Sequence, residues 1–561
     1  MIRRPYLSRP MQTVLTCLAF FYISTASLRA QAAVPPATTS SDNESHSLTD
    51  QAYIEFLRAW RTAEAGGHAE ALATLARSLK LQQQNAPAAD LAFQQLVSQR
   101  SPAHLTLHGH TGSILATAYS RDGKKILTSS SDHTVRIWNA ADGKLLTPPL
   151  QHHDDVTAIA FSQDGRYVAT GSGESVQVWD AESGKAIGTA MKTLDEPVTL
   201  AFSPDDKLLA TGTEEGRLDA WNWSTGEPLF PFVKYHEGVN TVQFSPDGTH
   251  LLASTGDDLS DQIDPRTGKR LNAPMRQSNI AFNGEYSEDG KLIVTSNHGG
   301  LAMLWNAATG MKTGISFKHA ASIPVTRFSP DARRVVTASF DHTARVWSTT
   351  TGEAITSSLE HGSIVQDARF NYDGKLVATL AGDKIVRVWD AKTGELVLAP
   401  IKTKAGVTSM AFSPVANSLL VASVDGSVEI YDMPPQENAP AWISLLTQYA
   451  ASRTKYNQSI KVDLNAVRQL RTELLSSKEM DAWSRFGRWY FTEDDVLPVS
   501  PWSTFTMSDY IDALVAQGDW ESLDYAINLS RQNPVWMKKA VAARKKLPPQ
   551  AVKPATKEDK D

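Results

Sequence analysis

One cysteine in 561 residues is the first scarcity. A single thiol excludes an internal disulfide, an iron–sulfur site, a c-type haem attachment and the thiolate set of a structural zinc site. An excess of charge of either sign is also missing: 55 Lys+Arg stand against 61 Asp+Glu, a formal net charge of −6. Binding to a phosphate backbone would therefore need a local basic patch that the total conceals, and nucleic acid is not an expected partner. There is no Gly-rich phosphate loop ending in Lys-Ser/Thr, no helical pair of metal histidines and no Gly-x-Ser-x-Gly elbow. What is present, 41% hydrophobic and 21% charged residues, describes a globular chain longer than one ordinary domain.

The first 32 residues read as a secretory signal. Arg3, Arg4 and Arg9 precede an apolar run from Val14 to Ile23, and small residues follow to Ala30-Gln31-Ala32. The run is well short of the ~20 residues that span a bilayer. Cleavage near Ala32 and export to a bacterial periplasm or the exterior are expected, with no membrane span left in the mature chain. An uncleaved anchor and a twin-arginine signal are the alternatives. Cys17 lies inside the apolar run, so it leaves with the signal. Residues 33–47, rich in Pro, Thr, Ser and Asn, read as a disordered linker.

Residues 48–100 change to helical spacing, with Tyr53, Phe56, Leu57 and Trp60 and then Leu72, Leu75 and Leu79 on one face. A second helical part, 440–547, carries the stripes Trp442–Leu446–Tyr449 and Leu464–Val467–Leu470–Leu474, and an aromatic-rich stretch from Trp483 to Phe491. That stretch is either core or a partner's docking site. Residues 548–561 read as a disordered tail.

Between the helical parts the sequence repeats. Aromatic residues followed by Ser or Asn fall at Tyr119, Phe161, Phe202, Phe244, Tyr286, Phe328, Phe370 and Phe412, and a second series runs Trp138, Trp179, Trp221, Ile263, Trp305, Trp347, Trp389, Tyr431. Every step is 41 or 42 residues, the length of four short strands. Asp122-Gly123, Asp164-Gly165 and Asp247-Gly248 punctuate the units as hairpin turns. The eight registered markers predict a closed radial array over 103–433. Pro434-Pro435 denies the eighth unit its own outer strand, so Leu105-Thr106-Leu107 is expected to complete it.

The residues resemble the WD40 β-propellers. His110, Thr128, Asp132 and Trp138, then His319, Thr337, Asp341 and Trp347, then His361, Thr379, Asp383 and Trp389 match that family's hydrogen-bonded His–Ser/Thr–Asp–Trp set, and Trp179-Asp180 and Trp389-Asp390 supply its name-giving dipeptide. The resemblance implies an all-β propeller of eight WD40-type blades with flanking α-helical segments. The sets are then structural: an unpaired buried polar group costs about 1–3 kcal/mol, so each satisfies the others. Unit four lacks its aromatic, and Ile263→Ala is expected to cost much less than Trp305→Ala.

No catalytic, cofactor-binding or metal residue is expected. Asp257, Asp258, Asp261 and Asp264 lack the glycine and glutamate of a calcium loop. The function expected from the resemblance is a non-enzymatic, monomeric scaffold that binds other proteins or peptides through the loop face. Ser131, Phe340 and Val424, just before the turn Asp positions, point to that face in relatives. The alternative is an exported enzyme or carbohydrate-binding protein using the central channel. The mostly apolar and small inner strands Val156–Phe161 and Val407–Phe412 weigh against it.

Overall fold

The computed structural model of the protein describes residues 40–64, 67–82, 85–100, 105–403, 405–435, 439–453, 462–479, 481–492, 497–501, 506–518, 520–530 and 533–547. The expected signal segment 1–32 and tail 548–561 lie outside them. The chain divides into a unit of residues 1–51 and a unit of residues 52–561, and only the latter is described in side-chain detail below.

Eight antiparallel sheets follow one another along residues 105–432. In the first, Ile114–Tyr119, Lys125–Ser130, Thr134–Asn139 and Leu150–Gln151 pair in sequence order, and the same order recurs in the next six blades. The inner strand of every blade touches the inner strands of both neighbours, so the ring is closed. Closure comes where the sequence places it. Leu105–Leu107 is the outer strand of blade eight, with Leu105 opposite Ile430, Thr106 opposite Glu429 and Leu107 opposite Val428. One end of the repeat thus covers the outer edge of the other end's last strand, Val428–Asp432.

Outer strands vary in length. In blade six the fourth strand is only Leu359–Glu360, preceded by a lone bridge between Trp347 and Ala354, whereas the outer strands of blades two and five run over Ala186–Lys192 and Lys312–Lys318. Turn chemistry is more regular. Gly123 takes φ +69°, and at the equivalent place of blade three Asp206 takes φ +57°. That costly backbone is put to use: the Asp206 carboxylate accepts the N–H groups of Gln163 (2.6 Å) and Asp164 (3.0 Å) from the turn of the preceding blade.

Blade four is packed at the position of its missing aromatic. Ile263 is fully buried, packed with Leu208, Phe230, Phe244 and Leu251. Burial as complete as that of Trp305 argues against a minor role for Ile263. Phe230, from the chain after blade three's third strand, helps fill the space of the missing indole.

The flanks are helical: α1 (Ser40–Glu64), α2 (His68–Leu81) and α3 (Ala86–Arg100) before the propeller, then α4 (Trp442–Ser452), α5 (Leu464–Ser476), α6 (Ala482–Phe491), α7 (Met507–Gln517), α8 (Trp520–Leu529) and α9 (Pro534–Arg544). Helix α1 begins inside the expected linker 33–47. Neither proline nor glycine occurs between Ser40 and Ala65, so the backbone has no breaker there, and apolar periodicity does not register a polar helical stretch. Four of the later helices, α5, α6, α7 and α9, start where side chains cap them: Asp463 accepts from Asn465 N–H, Asp481 from Ser484 N–H, Thr506 from Asp509 N–H and Asn533 from Val535 N–H.

Helices α2 and α4 pack together, and α3 meets α6. The aromatic stretch of α6 is the heart of this layer: Trp483, Phe486 and Trp489 are buried, and Phe486 lies 4.8 Å from Phe93 of α3, ring centre to ring centre. Its density is core, shared by the N-terminal and C-terminal helices.

Candidate functional site

Two hydrogen-bonded sets have the same geometry. In blade one His110 Nδ1–H donates to Asp132 Oδ2 (2.9 Å), the Thr128 hydroxyl donates to His110 Nε2 (2.7 Å), and Trp138 Nε1–H donates to Thr128 Oγ1 (2.9 Å). In blade six the corresponding distances among His319, Asp341, Thr337 and Trp347 are 2.9, 2.7 and 2.8 Å. The aspartates also accept from hydroxyls two residues on, Thr134 (2.6 Å) and Thr343 (2.7 Å). Burial works against both carboxylates, yet the bonds from histidine, threonine hydroxyl and backbone N–H hold them well below the usual carboxylate range.

Blade seven departs from the expected set. His361 Nε2 meets Thr379 Oγ1 at 2.7 Å and Trp389 Nε1–H reaches the same hydroxyl at 2.8 Å, but His361 Nδ1–H donates to the Leu359 carbonyl (2.8 Å) and Asp383 pairs with Arg387 (2.8 Å). The reason is one side chain. Ile385 stands where Thr134 and Thr343 stand, so the carboxylate lacks the hydroxyl that steers it towards the imidazole. Burial, followed by the Arg387 charge, lowers the His361 pKa to about 4.

The Thr–Trp bond is the most persistent part of the set. It recurs without a histidine–aspartate pair in blades two (Trp179 to Thr170, 2.8 Å, with His152 packed edge-on to the indole), three (Trp221 to Thr211, 3.1 Å) and five (Trp305 to Thr295, 2.8 Å). Blades four and eight replace both members, with Ala253 and Ile263, and Val421 and Tyr431. Donor and acceptor are lost together, so neither remains as a buried orphan.

The loops joining second to third strands form one face with the loops that lead into the inner strands. Ser131, Phe340 and Val424 lie there. Ser131 and Phe340 are half-buried, while Val424 is 50% exposed. Ser131 Oγ accepts Ser113 N–H (2.9 Å) and so serves the loop itself. At this position the backbone is pinned blade after blade: the N–H groups of Ser131, Glu214, Gly256, His298, Phe340, Gly382 and Val424 donate to the carbonyls of Ser113, Glu196, Gly238, Ile280, Ser322, Ile364 and Gly406, at 2.8–2.9 Å. Side chains on this face stand on a fixed frame.

Charge divides the same face. The loops of blades two to four hold Asp154, Asp155, Glu174, Asp195, Glu196, Glu214, Glu215, Glu237, Asp257 and Asp258, with no lysine or arginine among them. Burial, then the carboxylates of Glu214, Asp154 and Asp155, raise the pKa of Glu196. Individual residues gave no motif here; only stacking the units in register exposes the sector. His133 Nδ1 lies 3.3 Å from Asp155 Oδ1 at its margin. The four blade-four aspartates are dispersed among separate partners: Asp257 accepts from His236 N–H, Asp258 pairs with Arg276, Asp261 with Arg270, and Asp264 accepts from Arg266 N–H.

The inner strands are less uniform than expected. The residue before the aromatic marker is Ala118, Ala160, Ala201 and Ala411 in blades one, two, three and eight, but Glu285, Arg327 and Arg369 in blades five to seven. Arg327 pairs with Glu285 (3.4 Å) and Arg369 with Asp367 (2.8 Å). Each acid is neutralised by a neighbour.

Comparison with known proteins agrees with this geometry. The family described as WD domain, G-beta repeat matches residues 103–139, 143–180, 226–260, 314–348, 353–390 and 398–432. These are WD40 repeats. An uncharacterized WD repeat-containing protein of Synechocystis is 37% identical over 68 residues, which is 12% of this chain and 20% of that protein. The coronin-like protein of Saccharomyces cerevisiae is 42% identical over 65 residues, 11% of this chain and 10% of that one. The serine-threonine kinase receptor-associated protein of Gallus gallus is 34% identical over 67 residues, 12% and 19%. These matches span a fifth or less of the relatives' own length. Among solved structures, the computationally designed Ika8 protein superposes with a TM-score of 0.52 at 23% identity, over 59% of this chain and 99% of that one. The C-terminal WD40 domain of Sif2 does so at 0.53 and 16%, over 59% and 98%. Those likenesses concern the fold alone.

Proposed function

We propose that this protein is an exported, non-enzymatic, monomeric scaffold whose propeller binds partner proteins or peptides on its loop face. The supporting observation is the pinned backbone at seven of the eight second-to-third-strand loops. A partner that docks there orders little of the protein, so less of its contact energy is lost to entropy. The acidic sector over blades two to four favours a partner segment rich in lysine and arginine, with Phe340 and Val424 as apolar contacts beyond it. Export rests on the arginines and apolar run of the first 32 residues, and no helix among the described residues is long and apolar enough to cross a membrane.

The channel reading has two carboxylates on the inner strands to draw on, Glu285 and Asp367. Both are engaged by arginines, whereas acid–base catalysis needs a carboxyl free to exchange a proton with substrate. The test is binding of defined Lys/Arg-rich peptides, measured by fluorescence anisotropy. Binding is expected to weaken with salt, with Asp154→Asn/Glu174→Gln and with Phe340→Arg. Peptide binding indifferent to all three changes would remove the loop face as the site.

A further inference from the structure

At the end of the propeller opposite those loops, the inner-to-second-strand turns of blades one and eight meet α3 and the segment before α7. A cavity of about 470 Å³ lies there, within the roughly 300–1,000 Å³ of small-ligand sites. Most of its wall is apolar and comes from separate parts of the chain: Phe93 and Val97 of α3, Leu105 of the closing strand, Ile401 of blade seven's outer strand, and Val499. The polar side chains on the remainder include Tyr119, Ser418, Asp432 and Ser500. The Tyr119 hydroxyl bonds with Ser418, and the Asp432 carboxyl bonds with the Ser500 hydroxyl.

Asp432 is the unusual member. It sits at the end of blade eight's third strand, and among the described residues no lysine or arginine pairs with it. Lys124, which also lines the cavity, pairs with Asp122 at 3.4 Å where both are exposed. Burial pushes the Asp432 pKa up to about 7 against the Ser500 hydrogen bond. A carboxylate already stripped of water gains by meeting a cation, because the desolvation that penalises it has been incurred in folding. An anionic ligand would add like charge, and a neutral one would gain nothing from ionisation of the group.

We propose that this cavity binds a hydrophobic primary amine, its ammonium group paired with Asp432 beside the Tyr119 and Ser500 hydroxyls and its hydrocarbon part against Phe93, Leu105 and Ile401. The site is independent of the loop face, so Phe340→Arg leaves it intact.

The probes are n-hexylamine, hexan-1-ol and hexanoate, added to the whole chain at about one pH unit above the raised pKa, where the amine is still charged. Calorimetry and thermal melting are the readouts. Hexylamine is expected to bind at least tenfold more tightly than hexanol and to raise the melting temperature, while hexanoate does neither. Asp432→Asn is expected to abolish the preference for amine over alcohol. Val97→Trp, which fills the apolar side from α3 and leaves Asp432 in place, is expected to weaken hexylamine at least tenfold. Equal affinity for amine and alcohol in the unaltered protein, or amine binding untouched by Val97→Trp, would overturn the proposal whether or not the Asp432 variant folds.

Discussion

The hydroxyl of Tyr510 serves both backbone groups of Thr106: it accepts the Thr106 N–H at 2.9 Å and donates to the Thr106 carbonyl at 3.2 Å. Thr106 is the middle residue of the closing strand, and both residues are buried. The outer edge of the seam between the two ends of the repeat is thus covered by α7, so the C-terminal helices take part in propeller closure.

Tyr510→Phe keeps the ring and removes both bonds. A destabilisation of about 1–3 kcal/mol is expected in urea unfolding, the cost of leaving buried backbone polar groups unpaired. Deleting residues 105–107 exposes the edge of Val428–Asp432 outright and is expected to give aggregates in size-exclusion chromatography. A monomeric deletion variant would contradict the closing role of this strand.

Trp305→Ala and Ile263→Ala are expected to destabilise by similar amounts, about 3–5 and 2–5 kcal/mol respectively, in denaturant unfolding. Both side chains are almost wholly buried. A loss below about 1 kcal/mol for Ile263→Ala would instead support the weak fourth blade that the missing aromatic suggested.

Acid changes the stability of the protein in two pH windows. The His361 pKa is about 4 in the fold and about 6.5 unfolded, so the unfolded chain binds the proton more readily. This contribution, about 3 kcal/mol, is complete above pH ~6.5 and is lost as pH falls towards 4. The depressed carboxyls of Asp132 and Asp341 contribute above their unfolded value of about 3.9 and lose that contribution below it. Asp432, with its raised pKa, acts in the opposite sense between about 4 and 7, so the total slope is a difference. Urea titrations at a series of pH values should show a shallower decline between pH ~6.5 and ~4 in His361→Gln than in the unaltered chain.

Much of the fold was legible in the sequence because a repeat multiplies its own signal. Trp138, Trp179 and Trp221 carry one message three times, and a step of 41 or 42 residues leaves few architectures. The third His–Asp pair was misread because His361 and Asp383 keep their spacing while Ile385, which lacks a hydroxyl, redirects the carboxylate. The acidic sector and the Glu285–Arg327 pair were missed for a different reason: their members are tens of residues apart and become neighbours only when consecutive blades stand side by side.

The sequence alone determined the blade number, the strand order within each blade and the segment that closes the ring, since all three follow from local periodicity and from two prolines that cannot pair. Tertiary structure decided how the flanks are used. That Phe93 would meet Phe486, that Tyr510 would seal Thr106, and that Asp432 would face an apolar cavity are matters of packing between segments hundreds of residues apart. No local pattern encodes such partners, because an apolar stripe states that a face must be covered and leaves open what covers it.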